Sequence, residues 1–240
     1  MTIQIAVMNS SKLVSDDSVK HISAALARQG NAHVAPAWST DDVQLTFVPK
    51  GSKPAVKSWW IVFVDDADVA DALGYHDLTS DGCPISKVFC AGQDTDGVSV
   101  TASHELCEML VDPWCSLMSQ SRSGAVYALE NADPVEDNSL GYRVDGVLLS
   151  DFVFPAWFSV FPTQSAKGAP VKVQYDYTNK VRRAFQILPG GYAQRFEDGQ
   201  WSQLTMSADI ASAKALHPAR GSRRERRKRG HDSWLLSTPR

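Results

Sequence analysis

One short stretch in the middle of the chain, Ser103-His-Glu-Leu-Cys-Glu108, has residue types and a spacing that chemistry can use. On a helix, His104 and Glu108 project from one face and can share a single cation. Glu105 lies about 100° around the helix from His104, close enough to reach a water on that cation without being a ligand. A tetrahedral site that acts on a substrate needs a third protein ligand and an open position for water. Glu130-Asn-Ala-Asp133 offers two candidates; Glu130 follows an expected strand and is preferred for its rigidity, with Asp133 as alternate. Asp112 is a further alternate that also reads as the end of the helix. The distribution of acids supports this focus: of 27 acidic residues 21 are Asp and six Glu, yet Glu105, Glu108, Glu130 and Glu136 fall within 32 residues. Glu136 and Asp137 read as solvated.

The elements that must position these groups follow from periodicity. Ile3–Met8 reads as a strand. Ser15 is a candidate N-cap before Asp16 and Asp17, Val19, Ile22 and Leu26 recur at helical spacing, and Gly30 marks a stop. Ala32–Trp38 and Val43–Val48 read as short strands, and Trp59–Val64 as a central strand buried on both faces. The segment from Gly74 to Pro84 reads as irregular, Lys87–Cys90 as a strand, and Gln93–Gly97 as a turn-rich loop. The site helix is expected over Ser99–Val111, ending at Asp112-Pro113 because the residue before proline is pushed out of the α region. Leu106, Met109 and Leu110 make a separate stripe able to dock on a sheet. A strand follows near Ala125–Leu129, then an aromatic stretch over Asp151–Phe158 broken by Pro155. Val171–Leu204 is β-like, with an Asp198-Gly199 hairpin signal.

In H-E-x-x-H peptidases the same helical spacing provides two zinc ligands and a general base, and a carboxylate in place of the second histidine still binds zinc. The order strand, helix, strand, strand, strand, irregular edge segment, strand, site helix resembles the N-terminal half of zincin metallopeptidases, the metzincin type in particular. Val98-Ser-Val-Thr-Ala-Ser-His-Glu-Leu-Cys-Glu-Met-Leu-Val-Asp-Pro113 is similar to the HE-x-x-E…DP helix of the exordium-like proteins of plants. Those proteins also carry a downstream acidic segment, here Glu130 to Asp133, and a later aromatic stretch, here Asp151 to Phe158. Phage and bacterial proteins are similar from Leu73 to Phe158, and the resemblance as a whole covers about residues 1–160. Two positions depart from the metzincin pattern: its third ligand falls on Trp114, and its helix-turn glycine on Leu110.

The expected fold is therefore α/β: a mixed sheet with a packed N-terminal helix and a metal-site helix, zincin-like over 1–165. A β-rich extension over 166–216 and a basic tail over 217–240 follow. The expected function is zinc-dependent hydrolysis of peptide bonds in a peptide or protein substrate. His104, Glu108 and Glu130 hold one Zn2+, its fourth position is left for water, and Glu105 is the catalytic base. A non-catalytic, metal-stabilised phage structural or assembly protein is the first rival. The second is a nucleic-acid-binding accessory protein acting through its tail.

Other residues have plainer readings. His76 reads more readily as a surface-loop histidine than as part of the site, Tyr75 and Tyr142 as half-buried tyrosines, and Cys107 as a small buried apolar residue. The aromatic residues of 154–158 read as core beneath the site. No G-x-x-x-x-G-K-[ST], G-x-G-x-x-G or G-x-S-x-G occurs, which argues against P-loop, dinucleotide-binding and α/β-hydrolase chemistry. An apolar fraction of 43% with 21% charged residues excludes wholesale disorder. No apolar run approaches bilayer length, the start Met1-Thr-Ile-Gln-Ile lacks a signal-peptide pattern, and four cysteines without a CxxC pair suit a reducing compartment; a cytoplasmic location without membrane contact is expected. The net charge of −3 conceals a split: residues 220–240 carry eight Lys/Arg against two acids, leaving 16 basic and 25 acidic residues in the first 219. The run from Arg220 to Arg229 is dense enough to attract nucleic acid or another polyanion.

Overall fold

The apolar runs β1 (Thr2–Asn9) and β3 (Trp59–Val64) lie side by side in the interior of a sheet, though β3 is fully buried on one face only, through Ile61 and Phe63, with Trp60, Val62 and Val64 half-buried rather than covered on both faces as expected. In this computed structural model, which describes residues 1–68, 72–159 and 173–206, they are joined by β2 (Asp42–Val48), β4 (Gly74–Leu78) and β5 (Pro84–Phe89) in the order β2-β1-β3-β5-β4. Four strands are parallel and β4, at one edge, is antiparallel to β5. The sheet is therefore mixed, and the α/β class expected from the sequence holds. The segment expected to be irregular from Gly74 is instead this edge strand. β5 begins at Pro84, three residues before the expected Lys87, with the proline at the strand start where no ladder donor is lost.

Helix α1 (Asp16–Gln29) begins as its residues dictate: the Ser15 side chain accepts from the Ser18 amide, and Val19, Ile22 and Leu26 are buried. Gly30 does not stop it. The backbone stays right-handed helical, passes through a π-helical turn (Gly30–Val34) into α2 (Ala35–Trp38), and ends at Ser39 with φ 56°. The strand expected over Ala32–Trp38 is thus helical. Gly30 serves packing: a Cβ there would lie 2.8 Å from Val43 Cγ2 on β2.

Helix α3 (Thr95–Val111) also starts earlier than expected, because Asp94 caps it by accepting from the Gly97 amide at 2.8 Å. It stops at Asp112 before Pro113. Every residue from Gly97 to Val111 is buried, not only the apolar stripe. β4 and β5 pack on one side of the helix. On another lies the hairpin of β8 (Tyr142–Val144) and β9 (Val147–Leu149).

Between α3 and this hairpin run β6 (Met118–Gln120) and β7 (Val126–Ala128); β10 (Tyr192–Glu197) and β11 (Gln200–Thr205) complete a second sheet, ordered β11-β10-β7-β6. The Asp198-Gly199 turn joins the last two strands, with φ of 51° and 78°. β10 pairs with β7, so strands from either side of residue 165 share one sheet. From 173 to 191 the described chain makes turns and one bridge, Val153 to Asp176, rather than the expected strands. Trp157 and Phe158 lie in a core with Tyr127, Val135 and Leu188, while Phe152 joins the core between sheet and helices. No helix among the described residues is long and apolar enough to cross a membrane. The basic run 220–229 lies outside them.

A buried carboxyl pair ties the later segment to the core. Asp151 Oδ1 accepts from the amides of Phe152 and Thr178 at 2.8 and 3.2 Å, and its Oδ2 from the Thr178 hydroxyl at 2.6 Å. Asp176 accepts from the Lys180 and Val181 amides at 2.9 and 3.0 Å. Burial pushes the Asp151 carboxyl up to about 7; the Thr178 bond opposes this, and neighbouring Asp176 adds to it. A raised acid pKa means that the folded chain holds more protons than the unfolded one between about pH 4 and 7, so stability falls as pH rises through that window. In the wild type this group costs on the order of a few kcal/mol of unfolding free energy between pH 5 and pH 8; Asp151→Asn should remove that slope, narrowing the difference in urea-derived stability between the two pH values. An unchanged gap removes Asp151 as its source.

Candidate metal centre

Three elements converge on one point. Helix α3 brings His104, Glu105 and Glu108, and its rotation is fixed next door at Ser103. The Ser103 hydroxyl donates to Gln29 Oε1 (2.8 Å) and accepts from the Ser150 amide (2.9 Å). Gln29, fully buried on α1, donates in turn to the Ser150 carbonyl and to the Tyr142 hydroxyl at 3.0 and 3.1 Å. α1, α3 and β9 are therefore locked together one residue from His104.

Edge strand β4 supplies His76. Alternation along the strand turns His76 toward α3, and Tyr75 and Asp77 to the opposite face, where they line a separate cavity of about 420 Å³ with Trp60 and Lys87. His76 is not the surface-loop residue expected: it has no exposed surface. The stretch Gly74–Leu78 does not alternate in polarity, so no pattern in the sequence marks it. Gly74 makes the approach possible, since a Cβ there would lie 2.6 Å from Thr101 Cγ2, 2.8 Å from the Lys87 carbonyl and 3.1 Å from Glu105 Cγ.

The segment after β7 supplies Glu130 and Asp133. Asp133 opens a 3-10 turn (Asp133–Val135) held from outside by the Leu188 amide, which donates to the Pro134 carbonyl at 3.0 Å. The turn is as well anchored as the strand end that favours Glu130. Asp112 plays a different part, for its two oxygens accept from the Ser116 and Leu117 amides at 2.9 Å each and shape the chain beyond α3. Glu136 is partly buried, which raises its pKa, and Asp137 is exposed and caps a short turn.

His104 Nε2 lies 3.2 Å from Glu108 Oε1 and 3.3 Å from Asp133 Oδ1. His76 Nδ1 lies 3.3 Å from Glu108 Oε2 and 3.6 Å from Glu105 Oε2, and its Nε2 3.8 Å from Glu130 Oε2. Two groups thus present ligand atoms within 4.8 Å of one another: His104, Glu108 and Asp133, and His76, Glu108 and Glu130. The residues expected to form one trio, His104, Glu108 and Glu130, are distributed over both. Bonds of about 2.1 Å at the tetrahedral angle separate ligand atoms by about 3.4 Å, close to these spacings. Neither Asp133 oxygen, nor Glu105 Oε2, nor either side-chain polar atom of buried Asn131 forms a well-directed hydrogen bond. These buried His, Glu and Asp side chains could hold a metal ion.

The electrostatics agree. Burial pushes the His104 imidazole down, but the Glu108 charge and the close approach of Asp133 and Glu108 oxygens outweigh it, and the net shift is well upward. Burial, then the Glu108 charge, also raises Asp133 well above the usual carboxylate range. Both shifts express a demand for positive charge in a dry, carboxylate-rich place, which a proton or a divalent cation can meet. Cys107, buried beside the site, has its thiol pushed up chiefly by burial.

Compared with protein-family models, curated proteins and solved structures, the chain finds no match.

Gly74→Ala should destabilise the fold by about 1–3 kcal/mol in urea denaturation, because its Cβ would lie 2.8 Å from the Lys87 backbone carbonyl on the paired strand. Adding Thr101→Ser removes the methyl nearest to the new Cβ and should restore part of the loss; no recovery would place the strain elsewhere.

Proposed function

We propose that the protein is a divalent-metal hydrolase of the metallopeptidase type, cleaving peptide bonds, with zinc as its ion. The observation that carries the reading is the juxtaposition of His104, Glu108 and Asp133, each offering one buried atom to a common point, with Glu105 on the same helix, its buried Oε2 3.6 Å from His76 Nδ1. The donor set supports a catalytic rather than a structural ion, since structural zinc sites are built mainly on thiolates and this one has only imidazole and carboxylate. A bound divalent ion would supply a Lewis acid that polarises a carbonyl and lowers the pKa of a water. The chain's own part is proton movement. Glu105 takes a proton from the water as its oxygen bonds to the scissile carbon, and delivers it to the nitrogen as the C–N bond breaks, leaving a carboxylic acid and an amine. His104, Glu108 and Asp133 would hold that ion. Glu130 and His76 lie on the far side of Glu108.

A second reading, a metal clip that holds β4, α3 and the 130–133 turn together without catalysis, draws support from burial: His104, the most exposed of the group, is 6% exposed.

His104→Ala should bind one zinc fewer and lose hydrolysis, whereas Glu105→Gln should keep the metal and lose about 10²–10⁴ in rate, because an amide takes up no proton at neutral pH. The assay is a broad peptide library with and without chelator, alongside metal analysis. Hydrolysis unaffected by Glu105→Gln removes the base. A zinc-loaded wild type that cleaves nothing, yet melts earlier after chelation, establishes the clip instead.

A further inference from the structure

Glu108 points its two oxygens at different imidazoles, Oε1 at His104 Nε2 (3.2 Å) and Oε2 at His76 Nδ1 (3.3 Å). That is the arrangement of a carboxylate bridging two cations. We propose that His76, Glu108 and Glu130 form a second divalent-cation site, joined through Glu108 to the one at His104, so that the protein holds a carboxylate-bridged pair of zinc or manganese ions. The inference rests on the proposed metal centre through the shared Glu108.

The orientation of the His76 ring supports it. Its Nδ1 lies 3.3 Å from Glu108 Oε2 and 3.6 Å from Glu105 Oε2, while its Nε2 lies 3.3 Å from the Asp112 carbonyl at the end of α3 and 3.8 Å from Glu130 Oε2. A histidine whose outer N–H is held by a backbone carbonyl is the usual form of a metal-ligating imidazole, because that bond fixes both tautomer and ring plane. A ring nitrogen this close to two carboxylates calls for positive charge between them, a ring proton or a cation. Glu105 Oε2, 3.6 Å from that nitrogen and buried, forms no well-directed hydrogen bond and is aimed at the same place.

Charge balance points the same way. Glu105, Glu108, Glu130 and Asp133 are all at most 3% exposed. With neutral imidazoles, as ligation requires, one divalent ion cancels half of the carboxylate charge and two cancel all of it. Bridged pairs of this kind sit about 3.5–4 Å apart and stabilise the attacking and leaving groups of a displacement together. The donors are imidazole nitrogen and carboxylate oxygen, which suit zinc and manganese better than soft cations.

The test is metal stoichiometry on the full chain, by equilibrium dialysis against Zn2+ with elemental analysis. Wild type should bind two ions. His76→Ala and the bulkier His76→Gln should each bind one, as should His104→Ala, with circular dichroism confirming the fold. Loaded with Mn2+, wild type should give the electron paramagnetic resonance spectrum of a coupled pair, and His76→Gln that of an isolated ion. Saturation at one ion in both wild type and His76→Gln, or two ions retained without His76, overturns the second site and leaves the proposed metal centre standing. A wild type that binds no ion overturns both.

Discussion

The constraint on which this structure turns is the burial of Glu108, a carboxylate without exposed surface in the last turn of a helix buried from Gly97 to Val111. An ionised carboxylate out of water is tolerated only where positive charge and hydrogen bonds meet it, and leaving it uncompensated is strongly destabilising. Its two oxygens are met by imidazoles from different elements, one from its own helix and one from the sheet edge. The demand for charge therefore dictates architecture. β4 must run antiparallel at the edge with His76 turned inward, the chain must come close at Gly74, and the 130–133 turn must fold back onto α3. The Gln29–Ser103–Ser150 bonds keep α3 from rotating out of that arrangement.

What is legible in the sequence depends on whether one local rule governs a segment. Trp59–Val64 reads as a buried strand because its apolar run has no competing interpretation, and Asp198-Gly199 as a hairpin because two adjacent positive φ angles demand such residues. Gly30 misleads because glycine has two uses, ending helices and admitting close neighbours, and only Val43 across the gap decides between them. Gly74–Leu78 does not read as a strand because its pairing with β5, not its own pattern, makes it one. The helix carrying the site is legible from Ser99 to its end before Pro113, while its early start after Asp94 is hidden by residues that also favour turns.

The site divides along the same line. His104, Glu105 and Glu108 follow from helical spacing, and Glu130 and Asp133 from their position on a returning loop. The allocation of the two acids is not legible, because it depends on how Leu188 pins the turn at Pro134. His76 is not legible either: a side chain contributed by an edge strand shares no spacing with a helix that begins about twenty residues later.

Side-chain length explains the uneven use of the two acids. Asp is one methylene shorter and reaches backbone amides close to its own position, as several do here: Asp94 caps α3 and Asp137 a short turn, Asp112 accepts from Ser116 and Leu117, and Asp176 from Lys180 and Val181. Those carboxylates build structure. The longer Glu105, Glu108 and Glu130 leave their own backbone behind and reach side chains on other elements, where a carboxylate meets an imidazole. Asp133 manages the same with a short arm only because its tight turn carries the backbone itself up to His104. The clustering of Glu in one stretch of a chain that elsewhere prefers Asp thus reflects the distance a carboxylate must span, backbone to backbone in the scaffold and element to element at the centre.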